Sequence, residues 1–157
     1  MKYINDLEAE NIFKDKDDFS KEVDMCNYLE DNIKLFCKDV LGVEYISHKR
    51  ESYLDKNNRR LSPNKPHVDF LIETSNKEYI IVECKNPISV YREDMLSIGQ
   101  VLDYIRIAEN NGYKIKQAYI CTSRFKKEMC ELIKRFNLPI GVCLLNKNYN
   151  AIWKGDE

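Results

Sequence analysis

Proline and glycine are scarce in this chain, four and five residues among 157. No Pro/Gly-rich linker divides the sequence, and no internal repeat or low-complexity tract appears, so the expectation is one domain over residues 1–157. No apolar run approaches the roughly 18 residues of a membrane span. The N-terminus, MKYINDLEAENIF, lacks the apolar stretch of a signal peptide, so a cytoplasmic protein without membrane contact is expected. No two of the six cysteines, at 26, 37, 84, 121, 130 and 143, form a CxxC pair. Most lie within apolar patterns, which reads as reduced core thiols rather than disulfides or a zinc site. A Gly-rich phosphate loop, an ATPase motor and a Ser–His–Asp hydrolase arrangement are also missing.

Excess charge of one sign is lacking too, since the net charge is −1. Its distribution is uneven. Residues 5–31 hold ten acids against three lysines, residues 49–66 six bases against two acids, and residues 124–135 five bases against two acids. The basic stretches fit either solvated loops and helix faces or two arms flanking a polyanion groove. On the second reading Lys49, Arg50, Arg59, Arg60 and Lys65 contact phosphates.

What is present is a regular alternation of apolar patterns. Met25, Leu29, Ile33, Phe36 and Val40 form one stripe and predict a helix over about 21–41, ended by Gly42. A strand over 43–49 follows, then a long basic loop. VDFLIE and EYIIVECK read as a hairpin turning near Ser75–Lys77. Then come a helix over 94–110, a strand over 114–122, a helix over 125–136 and a strand over 140–145. A short hairpin through Asn146–Asn148 brings back Asn150–Trp153. The order αβββαβαβ predicts an α/β fold, a central mixed sheet flanked by helices.

The chemistry concentrates in IIVECKN, residues 80–86. Ile80, Ile81 and Val82 read as a sheet interior, yet Glu83 and Lys85 follow on alternate positions of one face. If the hairpin turns about Asn76, facing residues have numbers summing to 152, which sets Asp69 opposite Glu83, about 5 Å away. Carboxylates that close repel, and one takes up a proton unless a cation lies between them. With Lys85 on the same face, the set reads either as a structural salt bridge or as a magnesium site with a positioned ammonium. Among the 26 acidic residues only Glu83 is followed two positions later by Lys, and it does so in the most strand-like run of the chain.

PHVDFLI…IIVECKNP resembles the core of the PD-(D/E)XK nuclease superfamily, in which an Asp begins one strand and Glu-x-Lys follows an apolar run on the next. Asp69, Glu83 and Lys85 match those positions. The family proline is not matched at its usual place, where Val68 stands, with Pro66 three residues before Asp69. The resemblance covers about residues 20–145 and implies a restriction-endonuclease-like core. It further implies a Mg²⁺-dependent DNA endonuclease, Mn²⁺ substituting, with metal held by Asp69, Glu83 and the backbone carbonyl of Cys84, while the Cys84 thiol serves the core.

The family also places a Glu on the first helix near the metal. At 100° per residue Glu22 falls on the core-facing side and Glu30 on the flank, which favours Glu22 as that ligand. A first-turn Glu favoured by the helix dipole is the alternative. Gln100 and Tyr104, one turn apart, resemble a Gln-x-x-x-Tyr motif of the RecB-like and restriction-subunit branches, where the Gln lies close to the active site and Tyr104 would meet nucleic acid. Two alternatives remain open at this point: a structure-specific enzyme like a Holliday-junction resolvase, which would act as a homodimer, and a non-catalytic nucleic-acid-binding module of the same fold.

Overall fold

The stripe at Met25, Leu29, Ile33, Phe36 and Val40 forms a helix whose five stripe residues are all buried. The computed structural model describes residues 2–3, 21–54, 67–85, 91–124, 126–146 and 151–155. In it the first helix, α1, runs over Glu22–Asp31, breaks at Asn32, resumes over Ile33–Leu35 and ends as a π-helical segment, Phe36–Leu41. At the break Asn32 Nδ2 donates to the Tyr28 carbonyl at 2.9 Å. The widened last turn keeps Phe36, Cys37 and Val40 on the buried side. Gly42 closes it at φ 65, a left-handed conformation in which a side chain would be strained.

The described residues form seven strands: β1 (Lys2–Tyr3), β2 (Tyr45–Tyr53), β3 (His67–Thr74), β4 (Glu78–Cys84), β5 (Lys114–Thr122), β6 (Ile140–Asn146) and β7 (Ala151–Gly155). Two further helices, α2 (Tyr91–Asn110) and α3 (Lys127–Arg135), connect β4 to β5 and β5 to β6. The strands form one sheet in the order β1-β7-β6-β5-β4-β3-β2. Antiparallel pairing joins β2, β3 and β4, and parallel pairing joins β4, β5 and β6. The helical crossovers α2 and α3 are what make those parallel pairs possible. The result is an α/β fold with a mixed sheet flanked by helices.

Several boundaries differ by a few residues from the sequence expectation, and one strand is added. The strand expected to end at residue 49 continues to Tyr53, because Lys49, Arg50, Ser52 and Tyr53 pair with Leu71, Phe70, Val68 and His67. Lys49 and Arg50 therefore belong to a strand and not to the basic loop. The short β1, paired with β7, had no sequence signal of its own.

Each sheet face buries its own cluster. Leu71, Ile81, Ala118, Ile120 and Val142 pack with Val101 and Ile105 of α2 and Met129 of α3. Phe70, Ile72, Ile80, Val82, Cys84, Cys121 and Cys143 pack with Met25, Leu29 and Phe36 of α1. Full burial contributes about 1.5–3 kcal/mol for each large apolar side chain, so these two layers dominate stability. Gly141 has a specific task here, since a Cβ there would stand 2.5 Å from the Tyr119 ring on the paired strand. Among the described residues no helix is long and apolar enough to cross a membrane.

Candidate active site

The β3–β4 hairpin turns through a 3₁₀ segment, Ser75–Lys77, with Asn76 at φ 64 and Lys77 at φ 57. Its ladder pairs Thr74 with Glu78 and Phe70 with Val82, so facing residues do sum to 152. The register thus aims Asp69 at Glu83. The last ladder pair is Phe70↔Val82, and beyond it side chains take over the backbone's partners. The Asp69 N–H donates to Glu83 Oε1 at 2.7 Å, and the Cys84 N–H donates to Asp69 Oδ2 at 2.8 Å. Each carboxylate is anchored through one oxygen to the opposite strand, which fixes both side chains without a ladder bond.

Burial and charge then act on the pair. Glu83 is 5 % exposed, and its carboxyl is pushed up to about 7, first by burial and then by the Asp69 charge. Burial also raises the Asp69 carboxyl, against the Cys84 N–H and the charges of Lys85, His67 and Arg50. Lys85 Nζ stands 3.5 Å from Glu83 Oε2 and donates to Gln100 Oε1 at 2.7 Å. The ammonium is thus held between the carboxylate and an amide from α2. Tyr104, half-buried and hydrogen-bonded to Gln100, has its phenol pushed up to about 12 by burial and by the Glu83 and Asp69 charges. Gln100 and Tyr104 therefore line the same end of the sheet as the carboxylates, although Gln100 itself is exposed. Among the described residues Lys85 meets Glu83 and Gln100, and no ion pair joins it to Asp69.

The helix-borne acid is where the structure departs most from the sequence. Glu22 lies in an exposed first turn, together with Lys21, Val23 and Asp24. Its angular position is inward, but burial of α1 starts only at Met25. Glu30 is the acid that reaches the strands: its Oε2 meets His48 Nε2 at 2.8 Å and its Oε1 accepts from Arg50 Nη1 at 3.2 Å. The His48 bond, followed by the Arg50 contacts, holds the Glu30 carboxyl below its ordinary range. The Tyr45 hydroxyl meets the other ring nitrogen of His48 at 2.7 Å. Arg50 also donates to Asn27 and lies over the Phe70 ring, 5.3 Å from its centroid. Arg50 is thereby committed to the α1 side of β2, and its charge acts on Asp69. Lys49, exposed, stands on the other side of that strand. Arg59, Arg60 and Lys65 lie outside the described residues.

Sequence reasoning passed over His48 and Tyr45, because a lone His on an edge strand carries no motif. It also passed over a buried pair, Lys126 Nζ to Asp94 Oδ2 at 3.4 Å, which ties the segment before α3 to the start of α2. Buried hydroxyls of Thr122 and Ser123, at the end of β5, have no hydrogen-bond partner among the described residues.

The two carboxylates are the residues here that could hold a hard cation. Two carboxylates from adjacent strands are preorganised by backbone N–H groups, and one carries a proton to about neutral pH unless a positive charge replaces it. Oxygen donors of this kind suit Mg²⁺ or Mn²⁺. No protein family, curated protein or solved structure gives a significant match to the chain.

Proposed function

We propose that the chain is a Mg²⁺-dependent DNA endonuclease of the PD-(D/E)XK type, with a restriction-endonuclease-like core. The observation that carries this reading is the buried Asp69–Glu83 pair, each acid bonded to the other strand's backbone, with Lys85 fixed beside it by Gln100. Such a pair has no use in a core. Its mutual repulsion is relieved by a proton at low pH and in part by Lys85, and a bound cation would relieve it at neutral pH.

Asp69 and Glu83 would hold a Mg²⁺ ion, with the Cys84 carbonyl adjoining them on β4, and the ion would supply an activated water and offset charge on the attacked phosphate. Lys85, kept in place by Gln100, offsets charge at the phosphate or orients the water. Its ammonium is preorganised and needs no rearrangement as charge builds. Tyr104, bonded to Gln100, keeps the amide turned towards Lys85. The Glu30–His48–Arg50 set stiffens β2 against α1 and keeps a positive charge behind Asp69.

Plasmid digestion tests the reading. Nicked or linear product should appear with Mg²⁺ or Mn²⁺ and vanish with chelator, and Glu83→Gln should cut at least about 10²-fold more slowly while melting as a folded protein. Cleavage by Glu83→Gln at the wild-type rate would remove the assignment.

A further inference from the structure

The thiols on the α1 face of the sheet are arranged in a way that core packing does not require. Cys84 on β4 pairs in register with Cys121 on β5, and Cys121 pairs in register with Cys143 on β6. Three strands thus present a row of sulfurs at one level of the sheet. Cys26 of α1 comes down on the end of that row and is hydrogen-bonded to Cys84. Asp69 completes the corner: one carboxylate oxygen and the sulfurs of Cys26 and Cys84 all lie within 4.8 Å of one another. Both thiols are buried, at 5 % and 1 % exposure, and Asp69 is half-buried at the mouth.

We propose that Cys26, Cys84 and Asp69 form a site for a thiophilic divalent cation of the Zn²⁺ class, and that filling it draws Asp69 away from Glu83 and switches cleavage off. The switching half rests on the nuclease reading above; the binding half does not. Zinc holds sulfur at about 2.3 Å and carboxylate oxygen at about 2.0–2.2 Å, which puts tetrahedral ligands roughly 3.5–3.8 Å apart. The ligand atoms, already within 4.8 Å of one another, would have to draw in by about 1 Å on an ion. Two sulfurs and one oxygen select Zn²⁺ over Mg²⁺, with water in the fourth position. As each metal–sulfur bond forms, the thiol proton leaves to solvent, so the ion carries two thiolates and a carboxylate. Asp69 is the hinge between the two centres. Its backbone N–H meets Glu83 and its Oδ2 meets the Cys84 N–H, on the strand whose thiol would bind zinc. A carboxylate turned to a zinc between Cys26 and Cys84 is lost to the cation at Glu83.

Cobalt substitution tests the site without any activity. The reduced full chain, titrated with Co²⁺, should show one equivalent of binding with a thiolate-to-cobalt charge-transfer band in the near ultraviolet, displaced by Zn²⁺. Cys26→Ala should abolish that band, Asp69→Asn should weaken Co²⁺ affinity by roughly tenfold or more, and Cys130→Ala should leave it intact. Melting curves on each variant check that the fold is retained. Absence of the band in the wild type, or its survival in Cys26→Ala, overturns the site. For the switch, Zn²⁺ should inhibit Mg²⁺-dependent cleavage, measured against each variant's own zinc-free rate. Cys26→Ala should require at least about tenfold more zinc, and equal inhibition of both proteins overturns the switch. A chain that gives the cobalt band yet never cuts DNA supports the site and sinks the nuclease reading; one that cuts without the band does the reverse.

Discussion

Asp69 and Glu83 place two acids where the sheet gives up its ladder, and the consequence is a titration. In the unfolded chain Glu83 loses its proton near the ordinary carboxylate value, while in the fold it keeps it to about 7. Between those values the folded state binds more protons, so the stability contributed by this group is complete below the unfolded value and is lost as pH rises through 7. Asp69 is raised in the same direction. Under the nuclease reading magnesium would bind the ionised pair and reverse the trend. In chelator, melting temperature should therefore fall between about pH 5 and pH 8, and the increase on adding Mg²⁺ should grow over the same interval. Thermal melts at the two pH values check this, and an equal Mg²⁺ increment at both would contradict it. At this scale much was readable in advance. An alternating apolar run and a turn about Asn76 place Asp69, Glu83 and Lys85 on one face. Glu30 was not readable, because periodicity gives the direction of a side chain and not the point along a helix where the sheet begins beneath it. Glu22 points inward and meets solvent.

Elements in this fold are positioned by a few steric agreements between neighbouring strands. Tyr119 lies across the position where Gly141 has no side chain, with ring carbons 2.5 and 2.6 Å from where a Cβ would be. Gly141→Ala should force the ring or β6 to move and cost about 1–3 kcal/mol by overpacking. Urea denaturation would measure the loss, and Tyr119→Leu should recover part of it. An unaltered midpoint for Gly141→Ala would mean that the ring finds another rotamer freely. Element identity was legible because the 3.6 and 2.0 periodicities are long and clean here. The far end of β2 was not. Its residues 50–53, RESY, are polar and sit on an edge strand, where one neighbour and no second sheet face impose an apolar pattern. The break in α1 at Asn32 was equally hidden, since the apolar stripe continues through it.

The whole molecule is nearly neutral but divided, with an acidic N-terminal stretch and a basic segment over 49–66. Under the nuclease reading the basic segment meets backbone phosphates, whose contacts release counterions. Replacing Arg59 and Arg60 together by Ala should weaken DNA binding and lower the salt slope by roughly 0.9 per lost contact. Fluorescence anisotropy over a salt series would report it, and an unchanged slope would assign this stretch to solvent. Lys85 decides between an electrostatic network that stabilises a fold and one that cleaves a phosphodiester bond. The rate of supercoiled-plasmid cleavage by folded Lys85→Ala at saturating Mg²⁺, with Mg²⁺ affinity measured on the same preparation, tests this against the wild type. A catalytic Lys85 predicts a rate lower by about 10²–10³, with Mg²⁺ affinity retained or raised because a positive neighbour of the carboxylates has gone. A Lys85→Ala protein that cuts at the wild-type rate would contradict it.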